Sequence, residues 1–330
     1  MAIIATEKVL TLDWWKPAAK LKVGDYVFDR NGSPVQIKLI QQYRVEDCYR
    51  VMFDDYLTLS GDGKLGFPME DIKYRKRLCS YKGHFKFRRP LKHIVIDDLT
   101  ELPLKNNRDR SVYSVPTTQP LQFPYQDLPV PPFVFGYWFF NRTPTQKLTV
   151  ETEKQEEIVQ RFKDYGYKVT LGSKKPYNRR EFTVKPSIES QLVPNIPSVV
   201  PYNYLLANTE QRIELLSGII MAKRAQYNQK TDRFGITAKN LNTITRIQSL
   251  VESLGCRTVV EHEENNSNYS ISFRSRHPLV SNQASPPVKV HHARRYVSKI
   301  SKLPAQLCVH VETTSEDSTI LVGEGFIPCR

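Results

Sequence analysis

The chain has 330 residues, and its 48 lysines and arginines outnumber 34 acids to leave a formal charge of +14. That length suits one large domain or two medium ones, and the composition excludes disordered and collagen-like classes. The positive excess predicts a polyanionic partner, nucleic acid first, because Lys and Arg that neutralise phosphates drive such binding.

The five cysteines, Cys48, Cys79, Cys256, Cys308 and Cys329, are scattered and odd in number. They form no CxxC pair and no zinc spacing, so a reducing interior is the simpler expectation. No apolar run reaches membrane length. Lys8 and Asp13 interrupt the N-terminal stretch, which lacks a signal-peptide layout. A cytoplasmic, monomeric protein without a membrane partner is expected.

Residues 1–70 read as β structure, with Val9–Leu12, Val35–Gln42 and Tyr49–Phe53 as short runs of β-branched and aromatic residues. Asp29-Arg30-Asn31-Gly32 supplies a hairpin turn after Tyr26-Val27-Phe28. From Lys73 to Lys92 there is no acid: Lys73, Arg75, Lys76, Arg77, Lys82, Lys86, Arg88, Arg89 and Lys92 interleave with Tyr74, Tyr81, Phe85 and Phe87. Cations contact phosphate while rings anchor or stack. This arm, about residues 72–96, is therefore a candidate DNA contact, and a solvated basic hairpin is its alternative. A smaller cluster, His291-His292-Ala293-Arg294-Arg295, adds to the charge. Its adjacent histidines would point to opposite faces of a strand, which argues against a metal site. The proline-rich Leu121–Pro132 and the Ser281–Pro287 segment mark boundaries, giving segments 1–125, 126–284 and 285–330. The tail returns to strands at Leu307–Val311 and Thr319–Val322 around a polar turn, Thr313–Ser318.

Between the boundaries the sequence repeats. The first unit reads as helix Pro132–Asn141, strand Lys147–Glu151, helix Glu153–Tyr165, then strands Tyr167–Leu171 and Glu181–Lys185. The second reads as helix Gln211–Arg224, strand Phe234–Ala238, helix Leu241–Leu254, then strands Arg257–Glu261 and Tyr269–Phe273. Ile158, Phe162 and Tyr165 share helical spacing in one second helix, and Ile244, Ile247, Leu250 and Val251 in the other. Gly166 and Gly255 then fall where helix C-termini need glycine. Each unit sets cations along or beside its strands: Lys147, Lys168, Lys174, Arg179, Arg180 and Lys185, then Lys230, Arg233, Lys239, Arg257, Arg274 and Arg276.

With its two first helices, PPFVFGYWFFNR and TEQRIELLSGIIMAKRAQYN, the repeat resembles the LAGLIDADG homing endonucleases. The resemblance implies an α+β domain of two pseudo-symmetric repeats. Gly136 and Gly218 would be the close-approach positions of helices meeting at the axis, and the basic strands would form a saddle that reads duplex DNA in the major groove. Counting five residues on from each glycine, the family's metal-binding acid maps to Asn141 and Lys223. Divalent-metal cleavage of a phosphodiester needs oxygen ligands and charge compensation. Asn offers one neutral oxygen and Lys none. No cofactor is expected, and Mg²⁺ only if cleavage survives through substitute acids such as Asp232 or Glu210.

The flanking segments resemble a second family, the HINT fold of inteins and hedgehog-type autoprocessing domains. The likeness is carried by a strand at Val9–Leu12, by Leu21-Lys22-Val23-Gly24-Asp25-Tyr26-Val27, and by the closing stretches Cys308-Val309-His310-Val311 and Thr319–Ile327. Leu57–Phe67 looks like the block that holds a Thr-x-x-His, with Ser60 and Gly63 in those places. Splicing begins with a Cys or Ser at the intein's first position, assisted by that His, and ends at a terminal Asn. Met1-Ala2 replaces the nucleophile, and the chain finishes Pro328-Cys329-Arg330. Cys308 stands where some inteins carry an assisting Asp or Cys, and a buried structural thiol explains it equally.

Together the resemblances imply a β-rich HINT domain interrupted by a LAGLIDADG-type domain, within a DNA-handling host such as a replicase or phage packaging enzyme. Double-stranded DNA and the flanking host protein are the expected partners, with cleavage and splicing impaired or lost. The alternatives are a domesticated, non-catalytic DNA-binding or structural insert, and an endonuclease that is active through substitute acids.

Overall fold

The computed structural model describes residues 2–75, 91–141, 147–194, 196–222, 225–228, 230–263, 268–280 and 294–330. Two compact units divide the chain. One is drawn from the described parts of 1–122, 255–257 and 288–330, the other from those of 123–254 and 258–287.

The first unit is almost all β. Its described strands are β1 (Ala2–Ile4), β2 (Lys8–Leu10), β3 (Trp15–Pro17), β4 (Tyr26–Phe28), β5 (Pro34–Val45), β6 (Cys48–Phe53), β7 (Thr58–Asp62), β8 (Gly66–Met69), β9 (Lys92–Val95), β10 (Ser114–Pro116), β18 (Arg294–Leu303), β19 (Gln306–Thr313), β20 (Ile320–Val322) and β21 (Ile327–Cys329), and helix α1 (Ile96–Glu101) follows β9. Eight of them form a sheet ordered β10-β18-β6-β7-β1-β19-β5-β4, and a second sheet runs β21-β20-β2-β3. Strands from both ends of the chain are interleaved, so neither segment could complete either sheet alone. Ile3, Val9, Val27, Val51, Leu59, Phe67, Val309, Ile320 and Ile327 share one core. At the predicted turn, the Asp29 side chain accepts the amides of Asn31 and Ser33, both at 2.9 Å, while Gly32 takes φ +76°. That conformation suits glycine.

The second unit carries α2 (Pro132–Asn141), α3 (Gln155–Asp164), α4 (Ile188–Gln191), α5 (Tyr202–Leu205), α6 (Thr209–Met221) and α7 (Leu241–Ser253), with strands β11 (Leu148–Glu151), β12 (Lys168–Lys175), β13 (Arg179–Lys185), β14 (Ala225–Asn228), β15 (Arg233–Ala238), β16 (Thr258–Glu263) and β17 (Asn268–Phe273). The sheets run β11-β13-β12 and β14-β15-β17-β16. The strand of each that comes last in the chain therefore lies between the two before it, with β14 added at one edge of the second sheet. Sequence patterning predicts no β14, and it extends the second first-helix to Arg224. The helix instead ends at Met221, and Ala222 is already extended at ψ 167°.

Helix ends follow local chemistry. Asn208 caps α6 by accepting the Gln211 amide at 2.9 Å, and Gln211 reaches back to the Asn208 amide at 3.4 Å, a reciprocal capping box. Gly166 and Gly255 adopt φ +84° and +77° just past α3 and α7. Helix α2 is apolar nearly all round and correspondingly buried, whereas α3 buries only Ile158 and Phe162.

Candidate nucleic-acid interface and reaction centres

Helices α2 and α6 touch backbone to backbone. A methyl group at Gly136 would be driven into the Leu215 carbonyl oxygen and sit 3.1 Å from the Ile219 nitrogen. One at Gly218 would strike the Phe133 carbonyl oxygen and lie 2.9 Å from the Tyr137 nitrogen. Only glycine permits this reciprocal approach.

Asn141, the last residue of α2, is 4% exposed and fully engaged with β11. Its Nδ2 donates to the Thr149 carbonyl, and its Oδ1 accepts from the Thr149 amide at 3.2 Å and the Thr149 hydroxyl at 2.7 Å. The Tyr137 hydroxyl donates to the same carbonyl at 2.8 Å. Lys223, the counterpart position, lies outside the described residues. At the end of α6, the Met221 sulfur accepts from Arg161 Nη1 at 3.7 Å. Arg161 also grips Glu214 through both oxygens, at 2.7 and 2.9 Å, and its guanidinium lies 3.8 Å from the Phe133 ring centroid. Tyr165 donates to Glu214 at 2.9 Å. Burial, with Glu214 beside it, pushes the Tyr165 hydroxyl up to about 12.

Of the suggested substitute acids, Glu210 is remote from this junction. Glu210 occupies the first turn of α6, eleven residues from Met221, which is roughly 16 Å along the axis at 1.5 Å per residue. Asp232 sits in the β14–β15 turn at φ +51° and accepts the Tyr227 hydroxyl at 3.1 Å. Among the described residues no group of three or more His, Cys, Asp or Glu is placed to hold a metal ion. The only side-chain oxygen of Asn141 already accepts two hydrogen bonds, so the residues present do not fit the metal that the LAGLIDADG resemblance implies.

Each sheet buries one face and leaves the other open. In the first, Leu148, Val150 and Phe182 face the core, with Phe162 and Phe182 ring centroids 5.5 Å apart. The cross-strand pairs Glu151–Arg179 and Lys185–Lys168 stand on the opposite face. In the second, Phe234, Ile236, Ile271 and Phe273 are buried. Gln226, Gly235 and Ser272 line up across three strands on the other face, with Asn228 beside Arg233. Lys147, Lys168, Lys174, Lys185, Lys230, Arg233 and Lys239 are exposed. Arg274 donates to the Thr231 carbonyl at 3.0 Å, and Arg276 is half-buried.

Several expected contacts are internal instead. Arg75 is 7% exposed, and its guanidinium donates to the carbonyls of Glu70, Val112 and Ser111 at 2.5–2.9 Å. Arg180 donates to the Gly172 carbonyl at 3.1 Å on the core side of β13. Arg294 pairs with Glu70 at 3.1 Å and Arg295 with Asp55 at 2.7 Å, both buried, while Arg257 pairs with Asp54 at 3.0 Å. Arg75, Arg257, Arg294 and Arg295 brace the first unit rather than adding to a basic surface, whereas Arg180 stays partly exposed on β13, the middle strand of its sheet. Lys73 and Lys92 are exposed. Lys76, Arg77, Lys82, Lys86, Arg88, Arg89, His291 and His292 lie outside the described residues.

In the first unit, the segment between β7 and β8 gathers both ends of the described chain. The Ala2 amide donates to Asp62 Oδ1 at 3.0 Å, and Gly66 exchanges two backbone hydrogen bonds with Arg330, both 2.8 Å. The Ser60 amide donates to Glu7 at 2.8 Å. Burial holds the Glu7 carboxyl above its ordinary range. Gly63 faces the Asp97 carboxylate so closely that a Cβ there would collide with its carbon and both oxygens. Cys308 is buried with Ala2, Ile4 and Cys48, its sulfur 3.7 Å from that of Cys48. Burial, reinforced by Cys48, pushes the Cys308 thiol up to about 12, which leaves it protonated. Sequence reasoning overlooks Glu7 and Asp97, because nothing local marks an acid whose partner is distant in the chain.

No protein-family model matches the sequence, and no curated protein does. The solved structures similar to it include inteins and LAGLIDADG homing endonucleases. The MchDnaB-1 intein matches at 20% identity over 21% of this chain and 53% of that one, with a TM-score of 0.20. This chain thus spans about half the length of that intein. The homing endonuclease I-DmoI, solved in complex with DNA and Mn, matches at 14% identity over 44% of this chain and 89% of its own, with a TM-score of 0.31. The N-terminal LAGLIDADG domain of DUF199/WhiA matches at 11% identity over 44% and 76%, with a TM-score of 0.34. No helix among the described residues is long and apolar enough to cross a membrane.

Proposed function

We propose that this chain is an intein-derived element with a LAGLIDADG-type domain, which binds duplex DNA and has lost both cleavage and splicing. The observation that carries the reading is Asn141: the residue at the tip of a glycine-crossed helix pair is a neutral amide, saturated by Thr149. A divalent ion that activates a phosphodiester needs anionic oxygen ligands at that point. The open faces of two strand layers and the +14 charge support binding without chemistry.

The loss of splicing rests on the first unit. Ala2 has no nucleophilic side chain, Gly63 offers no imidazole, and Cys308 is a buried, protonated thiol. The host, a DNA-handling protein, belongs to the same proposal.

Incubating the full chain with plasmid and short duplexes, with Mg²⁺ and then Mn²⁺, tests it. Binding is expected to weaken with salt at a log–log slope of about −0.9 per phosphate contacted, with no double-strand break. A metal-dependent cut overturns the loss of cleavage, and binding indifferent to salt removes DNA as the partner.

A further inference from the structure

The two open sheet faces differ in chemistry. On the first, Lys168, Arg179 and Lys185 stand against Glu151 and Glu181. Both acids are neutralised locally: Glu181 is held by Lys147 at 3.4 Å and Lys175 at 3.1 Å, and Glu151 by Lys154 at 2.8 Å. The three remaining cations make no hydrogen bond among the described residues and so are free to donate outward. Among the described side chains on the strands of the second face, Arg233 and Glu261 carry the charge, and the rest are Gln226, Asn228, Thr237, Val259, Asn268, Ser270 and Ser272.

A row across the second sheet is more specific still. Gln226, Gly235 and Ser272 are cross-strand neighbours, so Gly235 leaves a gap between two polar side chains. A Cβ built at Gly235 meets nothing within 4 Å, and its φ is not positive. Neither a turn nor close packing inside the protein requires this glycine. A bare position in the middle of an open strand instead suits the close approach of something from outside.

We infer that the chain reads an asymmetric B-form duplex, with A·T pairs under the second sheet and G·C pairs under the first. The Gln226 amide would bridge adenine N6 and N7, and the C5-methyl of the paired thymine would enter the gap over Gly235. Lys and Arg bind guanine O6 and N7, whereas Gln and Asn match adenine, and each base pair shows a distinct pattern in the major groove. RNA duplexes are the poorer fit, because their deep, narrow major groove does not admit side chains on a sheet. The inference rests on the proposed DNA-binding reading.

Selection of bound sites from a randomised duplex pool by the full chain tests it. The expected enrichment has an A·T-rich half beside a G·C-rich half. Gln226→Ala should lower the preference for adenine at one position by about tenfold, the scale of one bidentate contact, and leave the G·C half unchanged. Gly235→Thr, which finds open space in the fold, should weaken binding to the selected site, and replacing the thymines by deoxyuridine should restore it. A melting temperature equal to the parent's certifies that the variant is folded. Binding with equal base preference in both halves, or a Gly235→Thr defect that deoxyuridine leaves in place, overturns the inference and leaves DNA binding standing. Failure to bind any duplex overturns the DNA-binding reading and the inference with it.

Discussion

Asn141 closes on Thr149 from both ends of its amide: the nitrogen donates to the Thr149 carbonyl, and the oxygen accepts the Thr149 amide and hydroxyl. A carboxylate of the same shape keeps the two acceptor contacts and loses the donor, setting an anionic oxygen against a carbonyl. Asn141→Asp should therefore cost about 1–3 kcal/mol, the penalty of a buried polar group left unmatched. It should not gain Mg²⁺-dependent cutting, because the second half of the site is not restored. Urea unfolding at pH 7 reads the first expectation, and an unchanged midpoint would refute it.

Two glycines separate close packing from open space. Gly218→Ala forces α6 away from the Phe133 carbonyl, and overpacking of this kind typically costs about 1–3 kcal/mol. Gly235→Ala meets nothing within 4 Å and should stay within about 0.5 kcal/mol of the parent, as exposed substitutions usually do. Thermal melts of both variants test the contrast, and equal effects would mean that the helices can slide apart.

Gly63 and Asp97 should couple. Gly63→Ala pushes a methyl into the Asp97 carboxylate, whereas Asp97→Ala removes the atoms it would strike. The double variant should recover at least half of the loss from Gly63→Ala, with an interaction energy of about 1 kcal/mol or more, in the range for residues in contact. Strict additivity in a double-mutant cycle would show that the collision is relieved elsewhere.

Glu7 predicts a pH dependence. Burial raises its pKa above the ordinary 4.5, against the opposing pull of the Ser60 amide. A carboxyl bound more tightly to its proton in the folded state costs stability once ionised. That cost is absent at low pH and grows as pH climbs from the unfolded value through the folded one. Glu7→Gln keeps an acceptor for the Ser60 amide and removes the charge. Its advantage over the parent should be nil near pH 4 and increase towards pH 7, as read from unfolding midpoints across that range. A constant difference would assign the effect to packing.

Much of the second unit was legible because its constraints are local. Glycines where helices cross, Gly166 and Gly255 where they end, and alternation along β13 and β15 each leave a mark in a short window of sequence. β14 left almost none: Ala225–Asn228 is four residues long, mixed in polarity, and follows an apolar helix without a turn signal. The arginines were misread for a different reason. Arg75, Arg294 and Arg295 are cations among cations along the chain, and the groups that bury them are reached only through the fold. Asp55 lies 240 residues from Arg295, and the Val112 carbonyl 37 from Arg75. Charge runs therefore report net field well and individual contacts poorly.

The Asp97 carboxylate limits what position 63 can carry as much as it bears on stability. A histidine placed at position 63 would collide with Asp97, so the fold would suffer before an imidazole could act there. Room for a side chain at that point would need substitutions in two separate elements together. The carboxylate that fills the space above Gly63 thus acts as a lock on that corner of the fold.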